Sequence, residues 1–371
     1  MSNAYQSLCT LLNAQEYKAS SAELPWNEII RFANGEYLIP ALCGELHDKN
    51  LFDLLEDEIL KQYLQEMYAL NTIRNKQLYT QLKEISELFE AQGIQALFLK
   101  GAAVLSEKDY RDIPRRFMLD LDIMVRPEQL NDAISALFSI GYKDAPSSEI
   151  PALHHHLPGL YKQDMPAQVE IHRRIIGTAI EYIPFNMETC RHSLNPDFSY
   201  HYILQPTYRL YHAFLHTEIA ELGYFNKTIS LRHLYDFTVL ATFYKNEIDW
   251  NLLETLIRRW KQNREFEAYL YMAKSLLAFS TPLTKESRKG TKEFERRFRN
   301  MTEQITLWKR ARDIFPAFFG LYHYSRMVRL YGVNSFSSYV YVSIMHIRYQ
   351  MQKYLFSPER LIKMIKALWN K

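Results

Sequence analysis

The chain has 371 residues, of which 47% are hydrophobic and 23% charged, and a formal net charge of +3. This composition excludes disordered, collagen-like and low-complexity classes, and a charge so near neutrality excludes recognition of nucleic acid or an anionic membrane by bulk charge alone. Eleven glycines are too few for a turn-dense all-β fold, so a predominantly helical chain of about two domains is predicted.

Residues 5–56 read as short amphipathic helices punctuated by Pro25 and Pro40. From Asp57 to Ala91 apolar residues recur at three and four (Leu60, Leu64, Met67, Leu70, Ile73, Leu78, Leu82, Ile85, Leu88, Phe89), and Gly93 supplies a stop, which predicts one long helix. The period then changes. Ala96 to Leu99 is a short apolar run closed by Lys100 and Gly101, read as a buried strand entering a turn and then a helix through Ala102 to Leu105. In Arg116 to Val125 strict alternation puts Leu121, Ile123 and Val125 on one face and Asp120 and Asp122 on the other. A helix from Pro127 to a stop near Gly141 follows, then a loop holding His154, His155 and His156, then a third strand, Val169-Glu-Ile-His172.

Beyond about residue 200 the helical period returns, with helices predicted over Tyr208 to Leu222, Leu231 to Tyr244, Trp250 to Trp260 and Glu265 to Phe279. The mixed charges of 284–312 read as a solvated helix face. The longest uncharged stretch, Leu330 to Ile347, contains Asn334, His346 and four serines and is too polar for a bilayer span. The first residues lack a basic region followed by an apolar core, so no signal peptide is expected. Cys9, Cys43 and Cys190 are odd in number and widely spaced, which gives neither a disulfide framework nor a zinc pattern and fits a reducing cytoplasm. The expected organisation is a helical segment over 1–92, an α/β core with a small mixed sheet over 93–195 and a helical domain over 196–371, hence α+β and predominantly helical. Oligomeric state is left open.

Two carboxylates two residues apart on a strand point the same way, with Cα atoms roughly 6.5–7 Å apart, so Asp120 and Asp122 can converge on one or two divalent cations. If the strand of Glu170 lies beside theirs, Glu170 and His172 turn to the same cleft, with His172 orienting that carboxylate or a phosphate. Three hard oxygen ligands without cysteine point to Mg2+ or Mn2+ rather than zinc. At the Lys100-Gly101-Ala102 turn, a glycine opening a helix lets backbone N–H groups approach phosphate oxygens, and Lys100 and Arg116 add charge.

The order strand, glycine turn, helix, paired-Asp strand and later acidic strand resembles the nucleotidyltransferase superfamily of the DNA polymerase β type. More narrowly, Phe98-Leu-Lys-Gly-Ala-Ala103, Arg116-x-Met-x-Asp-Leu-Asp-Ile-Met-Val125, Val169-Glu-Ile-His172, His212, His216, Leu231-Arg-His-Leu-Tyr-Asp236 and Ile248-Asp-Trp250 resemble an uncharacterised bacterial nucleotidyltransferase family, over about residues 30–265. The resemblance implies metal-dependent transfer of a nucleoside monophosphate from a nucleoside triphosphate, ATP being one candidate donor, to an acceptor hydroxyl. Asp120, Asp122 and Glu170 would act on the metal, and Lys100, Gly101, Ala102, Arg116 and His172 on the phosphates. The chain departs from the pattern at Ala102, where the superfamily usually has serine or glycine, at Glu170, where the family commonly has Asp, and at Arg173 in place of Trp. The acceptor stays open between a small molecule, a protein side chain and an RNA end, the last disfavoured by the charge. Two other readings stand beside this one: a non-catalytic nucleotide- or partner-binding module, favoured by Ala102, and a helical ribonuclease using Arg209 and His216. Asp236 is read as a helix-surface or packing residue that can also approach the cleft.

Overall fold

A computed structural model describes residues 3–13, 24–109, 113–144, 157, 159–176, 180–285, 287–302 and 335–344. Apart from Ile180, Glu181 and 335–344, which belong to a second unit, these residues form one compact unit. The helix and strand bounds that follow are those of that unit. Helices α1 (Asn3–Leu12), α2 (Trp26–Gly35) and α3 (Ile39–Asp48) precede the long α4 (Glu58–Ala91). Strand β1 (Ala96–Phe98) runs into α5 (Lys100–Glu107), and β2 (Asp120–Val125) is followed by α6 (Leu130–Ser139). Strands β3 (Lys143–Asp144), β4 (Leu160–Tyr161), β5 (Gln168–His172), β6 (Cys190–His192) and β7 (Tyr202–Leu204) complete the sheet. The second half comprises α7 (Pro206–Phe214), a π-helix over Leu215–Ala220, α8 (Gly223–Asn226), α9 (Leu231–Phe243), α10 (Trp250–Arg259), α11 (Asn263–Leu277) and α12 (Arg288–Thr302). The fold is thus α+β and predominantly helical, with a small mixed sheet.

The sheet order is β3-β4-β5-β2-β1-β7-β6. β2 lies between β1, which it pairs antiparallel, and β5, which it pairs parallel. One face of these strands is apolar: Leu121, Ile123 and Val125 of β2 and Val169 and Ile171 of β5 join Leu78, Leu82, Ile85 and Phe89 of α4 and Ala133 and Leu137 of α6 in one core. Full burial of each large side chain contributes about 1.5–3 kcal/mol, so register is strongly set: a slip of one residue would turn this face, and with it the acids, to the wrong side.

The long helix begins where Asp57 accepts hydrogen bonds from the amides of Ile59 and Leu60, and it ends at Gly93, whose φ of +68° is a left-handed stop that favours glycine. Its inward polar residues bind the sheet layer. Gln81 donates to Tyr142 Oη and to the Ala167 carbonyl, both at 2.9 Å. His201, fully buried before β7, accepts from the Ala96 amide through Nδ1 (3.2 Å) and donates through Nε2 to the Ser86 carbonyl (3.0 Å).

Four short strands escape the sequence pattern. The three residues of β7 are too few to carry a period and lie one residue before Pro206 at the start of α7, yet β7 pairs with β1, one strand in from the sheet edge. The helix predicted over Tyr208 to Leu222 is α7 widening into the π-helix. The basic stretch before residue 302 is not wholly solvated either: Arg297 is fully buried against both carboxylate oxygens of Glu218 (3.1 and 2.7 Å). Cys9, Cys43 and Cys190 are buried free thiols. Among the described residues no helix is long and apolar enough to cross a membrane. The three consecutive histidines 154–156 lie outside the described residues.

Burial pulls the His201 imidazole down to about 4. A histidine held neutral in the fold supports stability above its ordinary pKa of about 6.5 and loses that support as pH falls towards 4. Between pH 7 and pH 5 the native chain should therefore lose about 2 kcal/mol more unfolding free energy than a His201→Gln variant, measured by denaturant titration at both pH values.

Candidate active site

The segment entering β2 is fixed from α4. Asn75 donates to the Arg116 carbonyl (2.8 Å) and Arg74 to the Met118 carbonyl (2.9 Å), which satisfies buried backbone acceptors and delivers Asp120 to the start of the strand. The pairing of β2 with β5 sets Asp122 directly opposite Glu170. Alternation puts these two, with Asp120 and His172, on the face opposite the apolar core.

This face is not a solvated edge: Asp122 is 1% exposed and His172 0%. Asp122 Oδ1 receives two donors, Lys100 Nζ and His172 Nε2, each at 2.8 Å. His172 Nε2 also lies 3.8 Å from Glu170 Oε2. Asp122 Oδ2 is buried and has no hydrogen-bond partner. One donor atom each from Asp122, Glu170 and His172 lie within 4.8 Å of one another, a set able to hold a metal ion.

Lys100 is the first residue of α5 and adopts φ +41°, in the left-handed region that costs a residue with a Cβ. The turn is held to the site by a bond from the Leu99 amide to the Asp122 carbonyl (3.0 Å). Gly101 is closely packed: a Cβ there would stand 3.0 Å from both Arg116 Nη1 and Met118 Sδ. Any phosphate contact from this turn falls to backbone N–H groups of the first helical turn. Ala102 belongs to the apolar core, so a hydroxyl in its place would be buried there. Arg116 reaches across to α9, where Nε and Nη2 bind Asp236 Oδ2 at 3.1 and 3.0 Å. Asp236 therefore comes to the site through an ion pair, which helix spacing alone did not reveal.

A cavity beside the Lys100 turn is lined by Lys100, Arg116, His212, His216, His233 and Asp236. Burial holds His212 down at about 3 and His233 at about 4, and keeps His216 well below the usual imidazole range, so all three are neutral at neutral pH. Arg209 lines the cavity too, but its buried guanidinium is engaged: it binds both oxygens of Asp109 and donates to Tyr244 Oη (2.8 Å), which itself donates to Asp109 Oδ1 (2.6 Å). Asp109 carried no signal in the sequence, because its partners Arg209 and Tyr244 lie 100 and 135 positions along the chain.

A family model described as an uncharacterised nucleotidyltransferase matches residues 22–278, more than two thirds of the chain. The chain belongs to this nucleotidyltransferase family. The matched stretch contains α2 to α11, the whole sheet and every residue of the site. No curated protein and no solved structure matches.

In this family member the three acids are electrically unequal. Burial opposes ionisation of Asp122, but Lys100 and His172 outweigh it and hold the carboxyl well below the usual range. Burial, then the charges of Asp122 and Asp120, push Glu170 up to about 7. Burial and Asp122 also raise Asp120, against Lys100 and Arg116. Environments that drive neighbouring carboxyls apart are characteristic of sites that divide acid and base roles.

For Glu170 the sign of the linkage is destabilising. A carboxyl raised from about 4.3 to about 7 contributes fully only below its unfolded pKa, and stability is lost as pH rises through 7. Glu170→Gln should therefore be more stable than the native chain at pH 8, by about 2–3 kcal/mol, and no more stable at pH 4, as read by thermal denaturation in metal-free buffer at each pH.

Proposed function

We propose that this chain transfers a nucleoside monophosphate group from a nucleoside triphosphate, ATP being the first candidate, to a hydroxyl of an acceptor, with Asp120, Asp122 and Glu170 as the catalytic acids. The observation that carries the reading is the unpartnered, buried Oδ2 of an ionised Asp122, set by strand register against Glu170. A carboxylate-rich donor set at that position fits Mg2+ or Mn2+. Asp122 and Glu170 would hold the ion with Asp120 beside them; once bound, it supplies charge neutralisation for the triphosphate and a lowered pKa for the acceptor hydroxyl.

The protein's own groups then have distinct tasks. Arg116, steadied by Asp236, and Lys100 would bind phosphate oxygens, together with the amides of Gly101 and Ala102. His172 fixes the Asp122 carboxylate through Nε2. Glu170 would hold the ion on the acceptor side or take the proton from the acceptor hydroxyl as its oxygen bonds to the α-phosphorus and the bond to the bridging oxygen breaks, releasing pyrophosphate. A small-molecule or protein hydroxyl suits a chain of net charge +3 better than an RNA end. Three buried free thiols fit a reducing cytoplasm.

Thermal denaturation with Mg2+ or Mn2+ and each of the four common nucleoside triphosphates tests this. A specific donor at about 100 times its Kd stabilises by about 2.7 kcal/mol. We expect a metal-dependent rise in Tm with at least one triphosphate, absent in Asp120→Asn/Asp122→Asn. A folded native chain that shifts with none of them would favour the non-catalytic binding module instead.

A further inference from the structure

A second cluster of ligating side chains lies on the helical wall of the cavity. His216 sits in the π-helix, Glu221 immediately follows it, and His233 is in the first turn of α9. In an α-helix residues five apart point about 140° away from each other. Here the Glu221 amide bonds to the His216 carbonyl at 2.9 Å, an i to i+5 closure of π type that brings the two side chains back to the same side. His216 Nε2 lies 3.6 Å from Glu221 Oε1, and His233 Nδ1 lies 3.4 Å from Glu221 Oε2. The two rings stand 5.2 Å apart and nearly perpendicular, at 88°. One donor atom of each of the three residues falls within 4.8 Å of the others.

Those separations have a chemical meaning. Four ligands at about 2.0–2.1 Å around a tetrahedral ion are spaced about 3.3–3.4 Å from one another, close to the 3.6 and 3.4 Å contacts that Glu221 makes with the two histidines. The donor set also differs in kind from that around Asp122. Two imidazoles and one carboxylate favour a borderline-soft transition ion, where a carboxylate-dominated set favours a hard one. His216 and His233 both line the cavity, and so does His212, whose buried Nε2 has no hydrogen-bond partner and whose ring is 6.3 Å from that of His216.

We propose that His216, Glu221 and His233 form a second cation site, of the Zn2+ class, with three protein ligands and a fourth position open to the cavity shared with Lys100. The π-turn brings His216 and Glu221 to the same side for it. The assignment does not depend on the nucleotidyl-transfer reading, because its ligands are none of the acids used there.

Equilibrium dialysis of the full chain against Zn2+, with metal content measured per chain, decides it. Three proteins are compared: native, Asp122→Asn/Glu170→Gln, and His216→Gln/His233→Gln. The carboxylate variant should keep one tightly held Zn2+ that excess Mg2+ does not displace. The histidine variant should lose it; changes to groups one shell outside a metal already cost 10–100-fold, so loss of two ligands should weaken binding at least about 100-fold. Glu221 is half-exposed, so Glu221→Gln serves where the histidine variant fails to fold, and it should also weaken Zn2+ binding. Equal Zn2+ content in native, histidine and Glu221 variants, loss of the ion in the carboxylate variant alone, or no Zn2+ on the native chain would each overturn the proposal.

Discussion

An ionised carboxylate with almost no exposure is the constraint on which this architecture rests. Asp122 sits in the middle of the sheet, where desolvation would neutralise it unless opposite charge and hydrogen bonds were brought to it. Both come from the flanking strands: Lys100 from the turn that leaves β1, and His172 from the end of β5. Central placement of β2, its two registers and the left-handed backbone of Lys100 all serve this one pairing. Breaking such a buried pair by removing one partner typically costs 3–5 kcal/mol, so the site and the fold share their stability.

The helices complete it from both sides. α4 supplies apolar residues to the core and, through Arg74 and Asn75, the hydrogen bonds that set the chain entering β2. From the second half, Asp236 on α9 holds Arg116, and the π-helix carries Glu218 to the buried Arg297. Charged groups that look like surface residues in the sequence therefore act as ties between helices and around the cavity.

What was legible follows from what periodicity encodes. The long helix, the three site strands and the facing of Asp120, Asp122, Glu170 and His172 could all be read, because alternation and a core of Leu, Ile and Val leave one arrangement. Strand β7 could not, since three residues hold no period. Nor could the tasks of Lys100, Arg116 and Gly101: which acid a cation meets depends on helix packing between residues more than a hundred positions apart, as for Arg116 and Asp236. The π-turn was also hidden, because Tyr208 to Leu222 has an ordinary helical pattern and the deviation lies in backbone closure alone.

On the proposed reading, Asp122 would hold a divalent cation through its unpartnered Oδ2. Electron paramagnetic resonance of free Mn2+ during titration of the protein, with and without a nucleoside triphosphate, measures this directly. The account predicts that the native chain removes Mn2+ from solution, more strongly with the triphosphate present, and that Asp122→Asn abolishes this uptake while remaining folded. Equal uptake by the native chain and the variant would contradict it.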